Sequence, residues 1–223
     1  KNIVSPYEIY CMPVELTAQE REDYKIINNN FVRCKYALGQ YDAFNQARSI
    51  MASSSASRED KSVAAQFYKA IRERKAIVDF AHNKVAKFQH LIQTHPNKKV
   101  LVFSGANDFT DQLCESVKPL AVSYHSGIKK KTRDKSLSSF KNNETNILCS
   151  TKALNQGLDI PNANLGIICG ITSKSLSMIQ RVGRLIRFEE GKIGKVVILY
   201  VKESQEEKWL KNSVKTLNNV KWL

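Results

Sequence analysis

The most specific chemistry in this sequence lies in an arginine-rich stretch, residues 180–187, which reads Gln-Arg-Val-Gly-Arg-Leu-Ile-Arg. In a helix, Arg181, Arg184 and Arg187 would lie near one face and repel one another. Gly183 would cost that helix about 1 kcal/mol relative to alanine. A bound anion would offset both penalties, and the guanidinium group suits phosphate because its planar fork donates two parallel hydrogen bonds. The alternative is a solvated basic helix face.

A second candidate stretch begins with the apolar run Ile147–Cys149 and continues as a polar loop to Pro161. Thr151 can offer its hydroxyl and its backbone amide to a phosphate, and Gly157 permits close backbone approach of a ligand. Asp159 can accept a hydrogen bond from a sugar hydroxyl. A turn cap before Pro161 is the alternative role for Asp159.

Two further stretches place polar side chains directly after apolar runs. The run Val100–Phe103 ends at the hydroxyl of Ser104, and the segment Tyr124–Gly127 precedes the basic run Lys129–Arg133. Each pattern is weak alone. A lysine run is usually a solvated face, and His125 beside a strand end is more often structural than catalytic.

The elements that must position these residues alternate between two kinds from Asn97 onward. Short apolar runs typical of buried strands occur at Val100–Phe103, Leu120–Tyr124, Ile147–Cys149, Leu165–Cys169 and Val196–Val201. Stretches typical of helices separate them, at about 107–118, 130–141, 174–187 and 203–217. This alternation predicts an α/β fold with a mainly parallel sheet covered on both faces. In such sheets, ligands collect at the loops that follow the carboxyl ends of the strands.

The N-terminal part of the sequence has a different pattern. Alternating apolar residues over 10–16 predict a strand, and residues 17–20 form a capping box that opens a helix. Residues 52–62 are small and polar, which predicts a flexible loop. Apolar residues over 67–92 recur at helical spacing, which predicts one long amphipathic helix or two stacked ones.

Length indicates one large domain, or one domain with a helical appendage, and the charge indicates a polyanionic partner. The 223 residues include 35 Lys and Arg against 21 Asp and Glu, a net charge of +14. Residues 1–95, the strand and helices leading into the domain, hold 14 basic and 10 acidic residues; residues 96–223, the α/β domain, hold 21 and 11. This excess favours nucleic acid or nucleotides as partners, with a solubilising surface as the alternative.

Composition also excludes several classes of protein. Hydrophobic residues make up 42% of the chain, with 9 Gly and 5 Pro, which argues against a low-complexity or disordered chain. No apolar run approaches the roughly 20 residues that a membrane helix needs. The five scattered cysteines and four histidines lack metal-ligand spacing, so reduced intracellular thiols are expected rather than a disulfide framework or a metal site.

Taken in order, these stretches resemble the second RecA-like domain of superfamily 2 helicases and translocases. Val100–Ser104 is similar to motif IV, His125–Gly127 with Arg133 and Phe140 to motif IVa, Ser150–Pro161 to motif V, and Gln180–Arg187 to motif VI. The resemblance covers about residues 97–202 and implies a RecA-like three-layer domain.

The resemblance also implies a role for each matching residue. Three residues would act in catalysis: Arg184, Arg187 and Gln180. The arginines would reach across a cleft to the γ-phosphate of ATP, and the glutamine would help place them and the attacking water. Three residues would bind the nucleotide: Gly157, Asp159 and Arg181. Four would hold the nucleic-acid backbone without reading its sequence: Ser104, Lys130, Arg133 and Thr151.

One departure from the family pattern bears on activity. The sequence contains no G-x-x-x-x-G-K-[ST] and no D-E-x-x acidic box in a plausible place, so the phosphate-binding lysine and the Mg²⁺-binding acid are both missing. The chain is therefore expected to be the C-terminal half of a motor that is inactive as an ATPase alone. ATP and Mg²⁺ would be held mainly by the absent N-terminal RecA-like domain of the same protein.

The motif also bears on the nucleic acid. Gln180 stands where DEAD-box RNA helicases have histidine, so the chain looks closer to DNA-directed repair, restriction-type or phage branch-migration helicases. Single-stranded, forked or branched DNA is the expected partner, with RNA as a further candidate, in an intracellular compartment and without a membrane. Two alternatives stay open: a non-catalytic nucleic-acid-binding RecA-like module, and the motor subunit of a restriction enzyme.

Overall fold

Seven strands and a series of helices make up the computed structural model, which describes residues 7–151, 163–176, 179, 182 and 194–223. The strands are β1 (Tyr7–Val14), β2 (Val100–Phe103), β3 (Ala121–Tyr124), β4 (Ile147–Ser150), β5 (Leu165–Ile168), β6 (Gly194–Val201) and β7 (Val220–Trp222). The helices with described bounds are α1 (Ala18–Ala37), α2 (Ala43–Ala52), α3 (Arg58–Asp79), α4 (His82–Thr94), α5 (Asn107–Glu115), α6 (Lys130–Lys141) and α7 (Gln205–Val214).

The strands form one sheet in the order β3-β4-β2-β5-β6-β1-β7, and each described neighbouring pair is parallel. Strands β2, β4 and β5 are buried at every position. This explains their continuous apolar sequences, because a parallel sheet covered on both faces needs apolar side chains on both. The predicted α/β fold with a mainly parallel sheet is confirmed.

Helices pack on both faces of this sheet. Phe88 of α4 and Leu113 of α5 are buried in the core on one face. Phe140 of α6 and Leu210 of α7 are buried in the core on the other face. Alternate residues of β2 contribute to the two cores, so the sheet is the middle of three layers.

Strand β1 lies inside the sheet, between β6 and β7, although it comes first in the chain. Its register runs from Tyr7 beside Gly194 to Val14 beside Val201. The chain divides into two compact units, Lys1–Glu15 with His82–Leu223, and Leu16–Ala81. This division differs from the boundary at residue 95, because β1 pairs with the last strands and α4 packs on the sheet.

The unit Leu16–Ala81 consists of α1, α2 and α3. The predicted capping box is present at the start of α1: the hydroxyl of Thr17 accepts a hydrogen bond from the Glu20 amide at 3.3 Å. The Glu20 carboxylate in turn accepts one from the Thr17 amide at 2.9 Å. Six buried side chains form the core of the unit: Cys34, Leu38, Ala43, Ala47, Ala64 and Phe67.

The predicted loop over 52–62 is shorter in the structure. Helix α2 continues through Ala52 and α3 begins at Arg58, so residues 53–57 connect them. The hydroxyl of Ser57 accepts a hydrogen bond from the Asp60 amide at 3.0 Å. This cap and the acidic residues of the first turn stabilise a helix start within the polar stretch. The helical pattern over 67–92 corresponds to two helices, α3 and α4.

Two further properties concern the chain as described. All five cysteines are buried and carry free thiols. In the described ranges, no helix has the length and apolar character needed to cross a membrane.

Candidate functional site

The carboxyl ends of β2, β3 and β4 lie side by side, because all three strands are parallel and in register. Phe103, Tyr124 and Ser150 end these strands and are paired through β4. The sheet therefore brings the next residues, Ser104 and Thr151, to one edge. The Ser104 amide donates a hydrogen bond to the Ser150 carbonyl at 2.9 Å, which fixes the two loops together.

The Ser104 hydroxyl points inward. The side chain is 3% exposed, and its Oγ lies 2.6 Å from the Thr110 hydroxyl and donates to the Ala106 carbonyl at 2.9 Å. The Thr110 hydroxyl donates to the same carbonyl at 3.0 Å. These bonds hold the start of α5 against the end of β2. Ser104 thus shapes the loop, while Thr151 is half-buried at the end of the neighbouring strand.

His125 is the residue after β3, and it is 6% exposed. Its Nε2 lies 3.0 Å from Oδ1 of Asp111 on α5. Burial raises the pKa of Asp111, but hydrogen bonds from Ser123 and His125 outweigh it and hold that pKa below its ordinary value. An added Cβ at Gly127 would lie 3.1 Å from His125 Nδ1, so the turn leaves little room there. This geometry gives His125 a structural role in shaping the turn before α6.

The N-terminus of α6 has the features of an anion site. Its N-cap, Lys129, makes no side-chain capping hydrogen bond, and the first turn contains no acidic residue. The first amides of a helix have no carbonyl partner within it and carry partial positive charge. Lys130 is exposed and Arg133 half-buried, with the Arg133 guanidinium carbon 5.7 Å from the Tyr124 ring centroid. Of the predicted nucleic-acid residues, these two present cationic groups at this edge.

The loops after β2 and β5 approach each other very closely. A Cβ added to Gly170 would lie 2.4 Å from the backbone nitrogen of Gly105 and 2.8 Å from its Cα. Backbone atoms cannot rotate away, so this contact requires glycine at position 170.

Replacing Gly170 with alanine is expected to lower the free energy of unfolding by about 2–3 kcal/mol, because the backbone must shift to admit the methyl group. Urea unfolding followed by circular dichroism measures the change. Ser173→Ala is the control, since Ser173 is exposed in the same loop, and its effect should stay within about 0.5 kcal/mol. Equal unfolding midpoints for Gly170→Ala and the wild type would contradict this account of the loop.

A buried ion pair lies behind the same loop. Lys84 of α4 and Glu206 of α7 are both 0% exposed, and their charged groups are 2.9 Å apart. Lys84 also donates to the Cys169 carbonyl at 2.9 Å. Glu206 accepts hydrogen bonds from the Ile171 amide at 3.2 Å and the Val201 amide at 3.0 Å. The pair therefore holds the backbone on both sides of Gly170.

The charge state of Glu206 reflects two opposed influences. Burial raises its pKa above the ordinary value, while Lys84 and the two backbone amides act in the opposite direction. A carboxylate in such a place is stabilised only by its partners, because water does not reach it.

The other predicted site residues fall outside the described residues: Gln180, Arg181, Arg184, Arg187, Gly157 and Asp159. Ile179 and Val182 are described, and both are 0% exposed in the core that also contains Ile171.

Sequence reasoning missed the residues that support the site from behind. Lys84 lies at helical spacing between the buried Ala81 and Phe88, and a lysine in an apolar stripe is a signal that could have been used. Glu206, at the start of α7, and Asp111, opposite His125, gave no comparable signal, because their partners are distant in sequence.

Comparison with known proteins finds a family match within this domain. Residues 83–189 match the helicase conserved C-terminal domain. The DNA 3'-5' translocase XPB2 of Sulfurisphaera tokodaii is 23% identical over 188 residues, which cover 82% of this chain and 41% of that protein. The ATP-dependent rRNA helicase RRP3 of Scheffersomyces stipitis is 32% identical over 113 residues, 49% of this chain and 23% of that protein.

A solved structure gives the fold over most of the chain. The Sulfolobus solfataricus SWI2/SNF2 ATPase C-terminal domain superposes with a TM-score of 0.59 and 16% identity, covering 93% of this chain and 85% of that one. The fold is thus that of a RecA-like α/β domain. Together with the match over residues 83–189, this fold supports a likeness to the C-terminal RecA-like domain of superfamily 2 helicases. The chain spans less than half the length of the two curated relatives above.

Proposed function

We propose that this chain is the C-terminal half of an ATP-dependent superfamily 2 DNA helicase or translocase. It would supply arginine fingers to ATP that is held mainly by a first RecA-like domain. It would also form one side of the nucleic-acid groove. Alone, it would be inactive as an ATPase. The observation that carries the proposal is the carboxyl edge of the helicase domain. There, the loops after β2, β3 and β4 meet beside the uncapped, basic N-terminus of α6.

The proposed ATP contacts follow from the motifs that match the family. Arg184 and Arg187 would stabilise the charge that develops during phosphoryl transfer, with Gln180 helping to place them. Gly157, Asp159 and Arg181 would complete the nucleotide contacts. When bound, ATP would supply the phosphate that is transferred, and Mg²⁺ would neutralise part of its charge.

The proposed nucleic-acid contacts lie at the described edge. Lys130, Arg133, Thr151 and the loop held by Ser104 would contact phosphates of a single strand. The half-buried Arg133 near Tyr124 supports this, because its guanidinium group is already oriented at the edge.

DNA is the proposed nucleic acid, in an intracellular setting. The DNA translocase similar to this chain aligns over 82% of it, whereas the rRNA helicase aligns over 49%. The longer alignment and Gln180 in motif VI both favour the DNA-directed class.

Removing the two cations at the start of α6 tests the groove. For Lys130→Ala/Arg133→Ala, the affinity for single-stranded DNA should fall and the slope of log affinity against log salt should lessen by about 0.7 per lost phosphate contact. Fluorescence anisotropy of a labelled oligonucleotide measures both quantities.

Lys98→Ala is the control for loss of one positive charge, to be compared with the single variants Lys130→Ala and Arg133→Ala as well as with the double variant. Lys98 precedes β2 and therefore lies at the opposite edge of the sheet from the proposed groove. If Lys98→Ala weakened binding as much as the α6 double variant, binding would reflect overall charge, and the proposed groove would be wrong.

A further inference from the structure

The unit Leu16–Ala81 exposes a stripe of large side chains that its own core does not use. Tyr41, in the turn before α2, is 97% exposed, Phe44 is 59% exposed and Met51 is 51% exposed. Residues 44, 48 and 51 follow helical spacing, so Arg48, also exposed, lies on the same face of α2. We call Tyr41, Phe44, Arg48 and Met51 the α2 stripe.

Phe44 is held in place although much of it is exposed. Its ring packs edge-on against the buried Phe67, with the ring centroids 5.1 Å apart. The Tyr68 hydroxyl donates to the Phe44 carbonyl at 3.4 Å, and the neighbouring Ala43 and Ala47 are buried. The exposed part of the ring is therefore a fixed surface, and a ligand stacking on it would lose little entropy in ordering it.

The positive charge around the α2 stripe favours an anionic ligand. Residues 31–58 contain four Lys and Arg against one acidic residue, a net of +3. The remainder of 16–81 contains seven of each sign, and two of its acids, Glu59 and Asp60, follow Arg58 directly in the first turn of α3. Another exposed apolar side chain of the unit, Ile26, lies between α1 and α3 and is flanked instead by Asp23 and Glu73.

We propose that the α2 stripe is a second nucleic-acid site, which binds a single strand by stacking bases on Tyr41 and Phe44 while Arg48 pairs with a phosphate. Base stacking on aromatic side chains within a basic surface is how proteins hold single strands without reading sequence. Four side chains are too few for a stable protein interface, which buries about 800 Å² on each partner. The proposal rests on the proposed function for the class of ligand, and it adds a contact separate from the α6 groove.

The test uses the 223-residue chain and fluorescein-labelled oligo(dT) in an anisotropy titration. Tyr41→Ala and Tyr41→Ala/Phe44→Ala should weaken binding by about 5-fold to 100-fold while leaving the salt slope almost unchanged, because stacking releases no counterions. Ile26→Ala removes an equally exposed apolar side chain from the acidic surface and should change nothing. Tyr41 is almost fully exposed, so its replacement does not endanger folding.

A second readout reports direct contact. In the Tyr41→Trp variant, oligo(dT) should quench the fluorescence of the added indole. The variant should also bind oligo(dT) at least as tightly as the wild type does. Unchanged affinity of the Tyr41→Ala/Phe44→Ala variant, or an unquenched indole, would overturn the proposal.

The α6 double variant separates this proposal from the proposed function. If only Lys130→Ala/Arg133→Ala weakened oligo(dT) binding, the α6 groove would be supported and the α2 stripe would be ruled out as a binding site. If only the variants of the α2 stripe weakened oligo(dT) binding, the stripe would be supported and the α6 groove would be ruled out as a binding site. Absence of any binding by the wild-type chain at low salt would overturn both.

Discussion

Arg184→Ala, made in the whole two-domain protein, is expected to slow ATP hydrolysis by about 10³-fold or more while leaving DNA affinity almost unchanged. Arginine fingers contribute on this scale in related phosphoryl-transfer enzymes, because they neutralise charge that appears only in the transition state. Arg187→Ala should behave in the same way. Phosphate release at saturating ATP and single-stranded DNA measures the loss.

The proposed roles explain why the two effects should separate. The described nucleic-acid candidates lie after β2, β3 and β4 and on α6, whereas Arg184 belongs to a different stretch of the chain. Arg72→Ala, an exposed arginine of α3, is the control for loss of charge and should keep normal turnover. Normal turnover with lost DNA binding in Arg184→Ala would contradict the assignment of Arg184 as an arginine finger.

Lys84→Met is expected to lower the free energy of unfolding by about 3–5 kcal/mol, because it leaves Glu206 and the Cys169 carbonyl buried without their cation. Lys211→Met, which breaks an exposed pair with Glu207 on α7, should cost under about 1 kcal/mol. Urea denaturation of the purified chain compares the two variants directly.

A double-mutant cycle then isolates the pair itself. Lys84→Met/Glu206→Gln should be less destabilised than the sum of the two single variants, by about 1–3 kcal/mol, because each single change strands the other partner. Glutamine keeps an oxygen that can accept from Ile171 or Val201. Strict additivity would mean that Lys84 and Glu206 act independently, which their 2.9 Å contact does not allow.

The elements that sequence predicts well here are those whose pattern is local. Strand β2 and the first three residues of β4 are apolar because the sheet buries them on both faces, and the Thr17–Glu20 cap is complete within four residues. The loop predicted over 52–62 overlaps the start of α3. The polar residues there are typical of a loop, but they include a capping serine and two acids of the first helical turn.

The sequence could not predict features that depend on contacts between residues far apart in the chain. The position of β1 inside the sheet is set by pairing with residues beyond 193, which no local pattern encodes. Likewise, the contacts of the Ser104 hydroxyl with Thr110 and Ala106 depend on how α5 returns over β2. The network of Lys84 with Glu206 spans 122 positions.

The place of β1 also sets an order of events during synthesis. Residues 7–14 leave the ribosome well before their partner strand, residues 194–201. Pairings so distant in sequence form slowly, whereas the helices of 16–81 contact one another locally and can form while translation continues. Until residues 194–201 have been made, the nascent chain therefore carries β1 without its neighbouring strand, and this strand is the segment that a chaperone would have to protect.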